Sequence, residues 1–99
     1  MSFLRKLFGL GPKVNYHELI ANGAILIDVR TPAEYASGKP KNSKNVPLDK
    51  IGSKVENIKT LNKPVVLCCQ SGMRSGRATS ILKREGIEAY NGGGWTNFR

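Results

Sequence analysis

The sequence predicts an α/β protein in which helices flank both faces of a small parallel β-sheet. Short continuous apolar runs, typical of strands covered on both faces, alternate with segments in which apolar residues recur every three or four positions. Strands that alternate with helices form parallel sheets, because each helix returns the chain to the same end of the sheet. At 99 residues, the chain has the length of one such domain.

The composition excludes several classes of protein. Hydrophobic residues make up 39% of the chain, as in an ordinary globular protein, and no apolar run approaches the roughly 20 residues of a membrane-spanning helix. The two cysteines are adjacent, so they cannot form the disulfide framework of a secreted domain. No CxxC pair or Cys/His cluster predicts a metal site. We therefore expect a cytoplasmic protein without a metal or cofactor.

The chain carries a formal net charge of +9. Seven of its cations fall in residues 39–63, beside only two acidic residues: Lys39, Lys41, Lys44, Lys50, Lys54, Lys59 and Lys63. Such a field favours anionic partners, although solubility alone would also explain it. Because no aromatic residues are interleaved with these lysines, the stretch gives no firm signal for nucleic-acid binding.

The first 13 residues, MSFLRKLFGLGPK, form a short amphipathic segment ahead of a single domain at residues 14–99. In a helix, one face of this segment would collect its large apolar residues: Phe3, Leu4, Leu7 and Phe8. Basic residues interrupt the apolar run and no cleavage site follows, so a signal peptide is not expected. Docking on the domain or on another subunit, and weak contact with a membrane or a partner, both remain open, and no firm membrane signal results.

The domain opens with a predicted helix, because Tyr16, Leu19 and Ile20 follow a helical spacing. Asn22-Gly23 ends this helix in the manner of a C-cap. Residues 24–29, AILIDV, follow as a buried strand. The order helix, strand begins the alternation on which the fold prediction depends.

A strong helix start comes next, in the sequence TPAE. Thr31 is a good N-cap, Pro32 suits the first helical position, and Glu34 completes a capping box. This helix is short and is expected to end near Gly38. A basic loop over residues 38–47 then leads into a minimal strand around Asn45-Val46.

The second half of the chain repeats the alternation. Apolar residues at helical spacing predict a helix over residues 51–61, and the run VVLC at 65–68 predicts a strand. A helix is expected over residues 75–85, ended by a glycine. Residues 87–90, IEAY, are predicted as the last strand, before the glycines at 92–94.

The candidate functional site is the loop CQSGMRS at residues 69–75, because ligands of open α/β sheets bind beyond the carboxyl ends of the strands. A cysteine there faces the N-terminus of the next helix, whose free N–H groups and dipole favour negative charge. N–H groups of the loop add an anion nest. Arg74 supplies a cation. These features lower a thiol's pKa, so a nucleophilic thiolate needs no base, and the only histidine, His17, lies far along the chain.

The residues of this loop are also the candidate substrate-binding residues. Glycine permits the tight backbone that such a loop requires, and two serines offer hydroxyl groups to the sulfur or to the loop. The set is Gln70, Ser71, Gly72, Met73, Arg74 and Ser75.

Over roughly residues 14–98 the chain resembles the rhodanese family of sulfurtransferases. The resemblance rests on IDVRTPAEYASG, NVP, CQSGMRS and GGGW in this order and spacing. It implies that a cysteine thiolate takes sulfur from a small anionic donor such as thiosulfate and becomes a persulfide. The sulfur then passes to an acceptor such as cyanide or a thiol, and a protein acceptor fits the same chemistry. It also identifies Asp28 and Arg30 as part of a family element, with a supporting rather than catalytic role.

Counting along the loop does not by itself decide which cysteine reacts. Cys69 to Arg74 spans six residues, as in the sulfurtransferases that the chain resembles, whereas Cys68 to Arg74 spans seven, as in rhodanese-related phosphatases. Cys68 ends an apolar run and is expected in the core, so Cys69, the first residue beyond the predicted strand, is the predicted catalytic residue. A phosphatase that uses Cys68 and a non-catalytic sulfur-carrier or partner-binding domain are the alternatives.

Two features depart from the family's usual pattern. The segment GKPKNSKNVP replaces one that usually reads like GHIxGAxNIP, so Lys39 stands where a histidine is common. Gln70 is neutral, whereas sulfurtransferases that prefer thiosulfate often have a cation directly after the cysteine. The identity of the donor therefore stays open. Tyr35 and Trp95 are predicted to be packing residues.

Overall fold

A four-stranded parallel sheet forms the centre of the protein in the computed structural model, which describes residues 14–99. The segment 1–13, predicted to be amphipathic, lies outside the described residues. The strand order is β2-β1-β3-β4 and every pairing is parallel. The strands are β1 (Ile25–Asp28), β2 (Lys44–Asn45), β3 (Val65–Cys69) and β4 (Ala89–Gly94).

Within residues 14–99, four α-helices and a terminal 3₁₀ helix surround the sheet, and each helix predicted in this range is present. They are α1 (Tyr16–Ala21), α2 (Pro32–Ala36), α3 (Leu48–Leu61), α4 (Met73–Arg84) and the 3₁₀ helix (Trp95–Phe98). The capping box at α2 is formed as predicted: the Thr31 side chain accepts from the Glu34 N–H, and the Glu34 carboxylate accepts from the Thr31 N–H. Within residues 14–99, none of the helices has the length and apolar character needed to cross a bilayer.

The core lies in two layers, one on each face of the sheet, which confirms the predicted α/β fold with helices on both faces. Under α3 and α4 the larger layer includes Ile27, Val29, Ile51, Val55, Ile58, Val65, Leu67 and Leu82. Under α1 and the 3₁₀ helix the smaller layer includes Leu26, Val66, Cys68 and Phe98, with Leu19 and Ile20 packed against it. Because both faces are covered, the strands are continuously apolar rather than alternating.

The prediction for the end of the sheet was wrong. The last strand was predicted at residues 87–90, but β4 begins at Ala89 and continues through the glycine run to Gly94. Leu67 pairs with Asn91 and Cys69 with Gly94, so β4 carries one extra residue, as in a β-bulge. Gly93 has φ +84°, a conformation that suits glycine at such a bulge.

The boundary of β3 also differs from the prediction. Cys69 was expected to be the first residue beyond the strand, but it is the last residue of β3, because its pairing with Gly94 extends the ladder by one position. Similarly, α4 begins at Met73 rather than Ser75. The loop that contains the candidate site is therefore reduced to three residues, 70–72, between a strand and a helix.

Candidate active site

Cys69 lies at the carboxyl end of β3, where the strand order of the sheet reverses. From β1 the chain passes to β2 on one side, and the next crossover carries it to β3 on the other side of β1. The crevice between β1 and β3 is the usual ligand site of an open α/β sheet. The sequence therefore places its candidate nucleophile at the position that the topology favours for chemistry.

The two adjacent cysteines point to opposite faces of the sheet, because successive side chains of a strand alternate. Cys69 packs in the layer under α3 and α4, whereas Cys68 packs in the layer under α1. Burial, followed by the negative charge of Asp28, raises the pKa of Cys68 to about 12. Cys68 is therefore a protonated core residue at neutral pH.

The sulfur of Cys69 lies in a nest of hydrogen-bond donors. Its Sγ accepts from the N–H of Gly72 at 3.0 Å, the N–H of Ser75 at 3.4 Å and the hydroxyl of Ser75 at 3.3 Å. Burial on its own raises the pKa of this thiol. The hydrogen bonds from the Ser75 hydroxyl and from the N–H groups of Ser75, Gly72 and Ser71 outweigh burial and lower the pKa below its ordinary value.

The nest exists because the start of α4 has no other cap. Gly72 is the N-cap residue, with φ +102°, and no side chain of a capping residue bonds to the first turn. The first N–H groups of a helix lack intrahelical partners, and here the Cys69 sulfur accepts from them in place of a capping oxygen. A side chain at position 72 would be strained at this φ, so the geometry requires glycine.

Arg74 has a partner that the sequence did not predict. Its Nη1 lies 2.7 Å from Glu34 Oε1 and its Nη2 lies 3.0 Å from Oε2, a bidentate pair that joins α4 to the start of α2. Hydrogen bonds from Arg74, then from Thr31, lower the pKa of Glu34 to about 2. The charge of Arg74, the cation predicted for the loop, is thus largely neutralised by Glu34. The thiolate of Cys69 is therefore stabilised mainly by hydrogen-bond donors of the nest.

We expect the contribution of Glu34 to stability to depend on pH. Its pKa is about 2 in the folded protein, against an ordinary value of 4.5, so its contribution is fully present above the higher value and is lost as pH falls toward 2. The difference in unfolding free energy between wild type and Glu34→Gln should therefore be constant above about pH 5 and should shrink steadily below about pH 4. Denaturant titrations across this range measure it.

An exposed acidic residue of α3 supplies the control for that experiment. Glu56→Gln removes a carboxylate that has no salt bridge among residues 14–99, so its effect on the free energy of unfolding should be small. A Glu34→Gln difference that stays unchanged down to about pH 2 would contradict the pairing.

Asp28 and Arg30 form a buried ion pair beside the site. Arg30 Nη2 lies 2.7 Å from Asp28 Oδ2, and Arg30 Nε is within 3.0 Å of both carboxylate oxygens. The guanidinium also donates to the carbonyls of Glu34 and Gly38 and stacks over Trp95 at 4.4 Å. Arg30 therefore fixes α2 and the 3₁₀ helix against the end of β1. These contacts, all to groups of the protein itself, fit the supporting role predicted for Arg30.

The chain is similar in sequence and in structure to known proteins. The sequence pattern of the family described as "Rhodanese-like domain" matches residues 13–99. The chain belongs to the rhodanese-like domain family. A rhodanese of Escherichia coli, solved with anions, superposes on this rhodanese-like domain with a TM-score of 0.69 at 28% identity, covering 76% of this chain and 91% of that one.

Curated relatives of this rhodanese-like domain match over part of their length. The uncharacterized protein YqhL of Bacillus subtilis is 44% identical over 69 residues, which cover 69% of this chain and 54% of that protein. A protein named sulfurtransferase from Allochromatium vinosum is 36% identical over 62 residues, covering 63% of this chain and 57% of that protein. The matched region thus spans about half the length of these relatives.

Asn91 is a residue of the rhodanese-like site that sequence reasoning missed. Its Oδ1 accepts from the Ser75 hydroxyl at 2.7 Å and from the Gly93 N–H at 3.1 Å, and its Nδ2 donates to the Gly72 carbonyl at 3.0 Å. One side chain of β4 thus contacts both ends of the nest. No sequence signal marked this residue, because the last strand was predicted to end at residue 90, whereas β4 continues to Gly94.

The remaining predicted substrate-binding residues lie at the rim of the nest. Gln70, Ser71 and Met73 are exposed, and the Met73 side chain is 80% accessible. The residue Cys69 itself has no accessible surface. Among residues 14–99, no cluster of three or more potential metal-ligating side chains is present.

Proposed function

We propose that the chain is a sulfurtransferase that carries sulfane sulfur as a persulfide on Cys69. The observation that carries this proposal is the nest at the start of α4, in which Cys69 Sγ accepts three hydrogen bonds from Gly72 and Ser75. Membership of the rhodanese-like family and the relative named sulfurtransferase support the reaction class. The lowered pKa of Cys69 supports a reactive thiolate.

In the first half-reaction the Cys69 thiolate attacks the sulfane sulfur of a donor such as thiosulfate. A bond forms between Sγ and that sulfur, and the bond between the two sulfur atoms of thiosulfate breaks. Sulfite leaves with the electron pair of the broken bond, so no external oxidant or reductant is required. The products are sulfite and a persulfide whose terminal sulfur is anionic.

In the second half-reaction a nucleophile attacks the terminal sulfur. Cyanide becomes thiocyanate, or a thiolate becomes a persulfide, and the electron pair of the breaking S–S bond returns to Cys69 as thiolate. The nest serves both steps, because it stabilises the sulfur anion that leaves in the second step and is the nucleophile in the first. The acceptor thiol can belong to a small molecule or to a protein.

The charges around the site bear on the donor. Gln70 is neutral and the Arg74 guanidinium is paired with Glu34. Neither side chain therefore offers a free positive charge to a dianionic sulfur donor. N–H groups of the loop and the positive field of the protein remain as attractive forces for an anion. All seven lysines of residues 39–63 are exposed and contribute to that field.

Neither alternative reading is favoured by a specific observation. A phosphatase needs the Cys68 sulfur within the loop, but Cys68 points to the opposite face of the sheet, against Val66 and Phe98. A sulfur-carrier domain would share the Cys69 nest and differ only in having no turnover. A measurement of repeated turnover therefore distinguishes the sulfur carrier from the enzyme.

The test is formation of thiocyanate from thiosulfate and cyanide by the purified full chain. We expect repeated turnover, with one thiocyanate formed for each sulfite released, and no hydrolysis of an aryl phosphate. A single stoichiometric burst with no further product would indicate that the chain is a sulfur carrier and not an enzyme. Aryl-phosphate hydrolysis without thiocyanate formation would indicate that the chain is a phosphatase and not a sulfurtransferase.

A further inference from the structure

The Ser75 hydroxyl has one proton and two acceptors. Its Oγ lies 2.7 Å from Asn91 Oδ1 and 3.3 Å from Cys69 Sγ. A hydroxyl donates only one hydrogen bond at a time, so these contacts cannot both be donated by Ser75. At any moment one of the two acceptors must do without the proton of this fully buried serine.

The orientation of the Asn91 amide is fixed by its other contacts. Oδ1 accepts from the N–H of Gly93, and Nδ2 donates to the carbonyl of Gly72. Rotating the amide by half a turn would place Nδ2 against an N–H donor and Oδ1 against a carbonyl acceptor. Asn91 therefore presents an acceptor, and never a donor, to the Ser75 hydroxyl.

We propose that Asn91 is a positioning residue that holds the Ser75 hydroxyl proton whenever the Cys69 sulfur is uncharged and releases it to Sγ when that sulfur becomes an anion. The 2.7 Å separation is ideal for a bond between a hydroxyl and an amide oxygen, so the proton points to Asn91 beside a neutral thiol. Beside a thiolate, the charge-assisted bond to sulfur is the stronger one, and the proton turns to Sγ.

This exchange follows the proposed sulfur-transfer cycle, on which its catalytic meaning rests. In the persulfide, the negative charge moves to the terminal sulfur, and Sγ is again uncharged. The hydroxyl proton then returns to Asn91, and it turns back to Sγ as the acceptor takes the sulfur away. Asn91 thus keeps the buried hydroxyl satisfied in the persulfide state and favours the uncharged state of Sγ relative to a site without it.

The ionisable groups near Cys69 do not change when Asn91 is replaced by alanine. They are Arg74 of α4 with its partner Glu34, the Asp28–Arg30 pair at the end of β1, and Cys68 on β3. On α3, the buried positions facing Cys69 are apolar. The effect of Asn91 can therefore be isolated by mutation.

The test is a double-mutant cycle on the alkylation rate of Cys69, in full-length chains that carry Cys68→Ala so that only one thiol reacts. The variants are Asn91→Ala, Ser75→Ala and the combination of both. Below the thiol pKa, Asn91→Ala should alkylate about two- to fourfold faster with iodoacetamide, because the hydroxyl then has only sulfur to bond; the gain in thiolate exceeds the loss in nucleophilicity. In the Ser75→Ala background, the same substitution should leave the rate unchanged.

The cycle separates this inference from a purely structural role. If Asn91 only holds the loop through Gly72 and Gly93, its removal will change the rate equally with and without Ser75, and that result overturns the proposal. An unchanged or slower rate for Asn91→Ala alone overturns it as well. Asn91→Asp keeps the acceptor oxygen and adds a negative charge near the sulfur, so it should slow alkylation; faster alkylation by this second variant would overturn the proposal. Because alkylation needs no sulfur donor, failure of sulfur transfer would not affect this result.

Discussion

Replacing Cys69 by alanine is expected to lower thiocyanate formation by at least about a thousandfold, because the variant lacks the nucleophile that we propose forms the persulfide. Cys68→Ala should retain activity within a factor of about three. Its sulfur packs against Val66 and Phe98 on the opposite face of the sheet and carries a pKa raised to about 12 by burial. Steady-state rates with thiosulfate and cyanide measure both variants.

The two cysteine variants are matched controls for each other, since both remove one fully buried sulfur from neighbouring positions of β3. Thermal unfolding of each variant should show a folded protein, so that a loss of activity is not a loss of structure. Loss of activity with Cys68→Ala alone would contradict the assignment of the nucleophile. Equal losses of activity in both variants would indicate that disruption of β3, and not removal of a particular thiol, lowers the rate.

The largest effect on stability is expected at Arg30. Arg30→Met removes the partner of Asp28, whose side chain has no accessible surface, and leaves an uncompensated charge in the core. Breaking a buried ion pair on one side costs about 3–5 kcal/mol of unfolding free energy. The substitution also removes the donors to the Glu34 and Gly38 carbonyls and the stacking on Trp95. Denaturant unfolding monitored by circular dichroism measures the loss.

Two further variants locate the origin of that loss. Arg77→Met removes an exposed arginine of α4 and should change stability by no more than about 0.5 kcal/mol. Combining Arg30→Met with Asp28→Asn removes the stranded charge, so the double variant should be more stable than the sum of the two single losses predicts. Equal effects of Arg30→Met and Arg77→Met, or strict additivity, would show that the pair contributes little.

The fold could be predicted because its determinants are local. Buried runs such as residues 65–69 and the amphipathic pattern of α3 each specify an element, and the capping box Thr31–Glu34 specifies a helix start to the residue. Alternation of these elements then leaves a parallel sheet as the natural arrangement. The loop after β3 was identifiable because ligands of open α/β sheets bind beyond the carboxyl ends of the strands, where a cysteine faces the N-terminus of the next helix.

The remaining features of the site depend on contacts that are distant in sequence. Arg74 pairs with Glu34, 40 residues away, and Asn91 reaches Ser75 from a strand that was predicted to end at residue 90. Glycine is a poor strand former, so the run at 92–94 indicated a loop, whereas pairing with β3 makes it strand. Tertiary pairing overrode local propensity at the place where the bulge shapes the site.

The most direct test of the account is the mass of the full chain after incubation with thiosulfate and removal of small molecules. The Cys68→Ala protein should gain the mass of one sulfur atom, and a brief exposure to cyanide should remove it and release one equivalent of thiocyanate. The Cys69→Ala protein should gain nothing. A sulfur atom found on Cys69→Ala, or none on Cys68→Ala, would contradict the claim that the nest at the start of α4 holds the transferable sulfur.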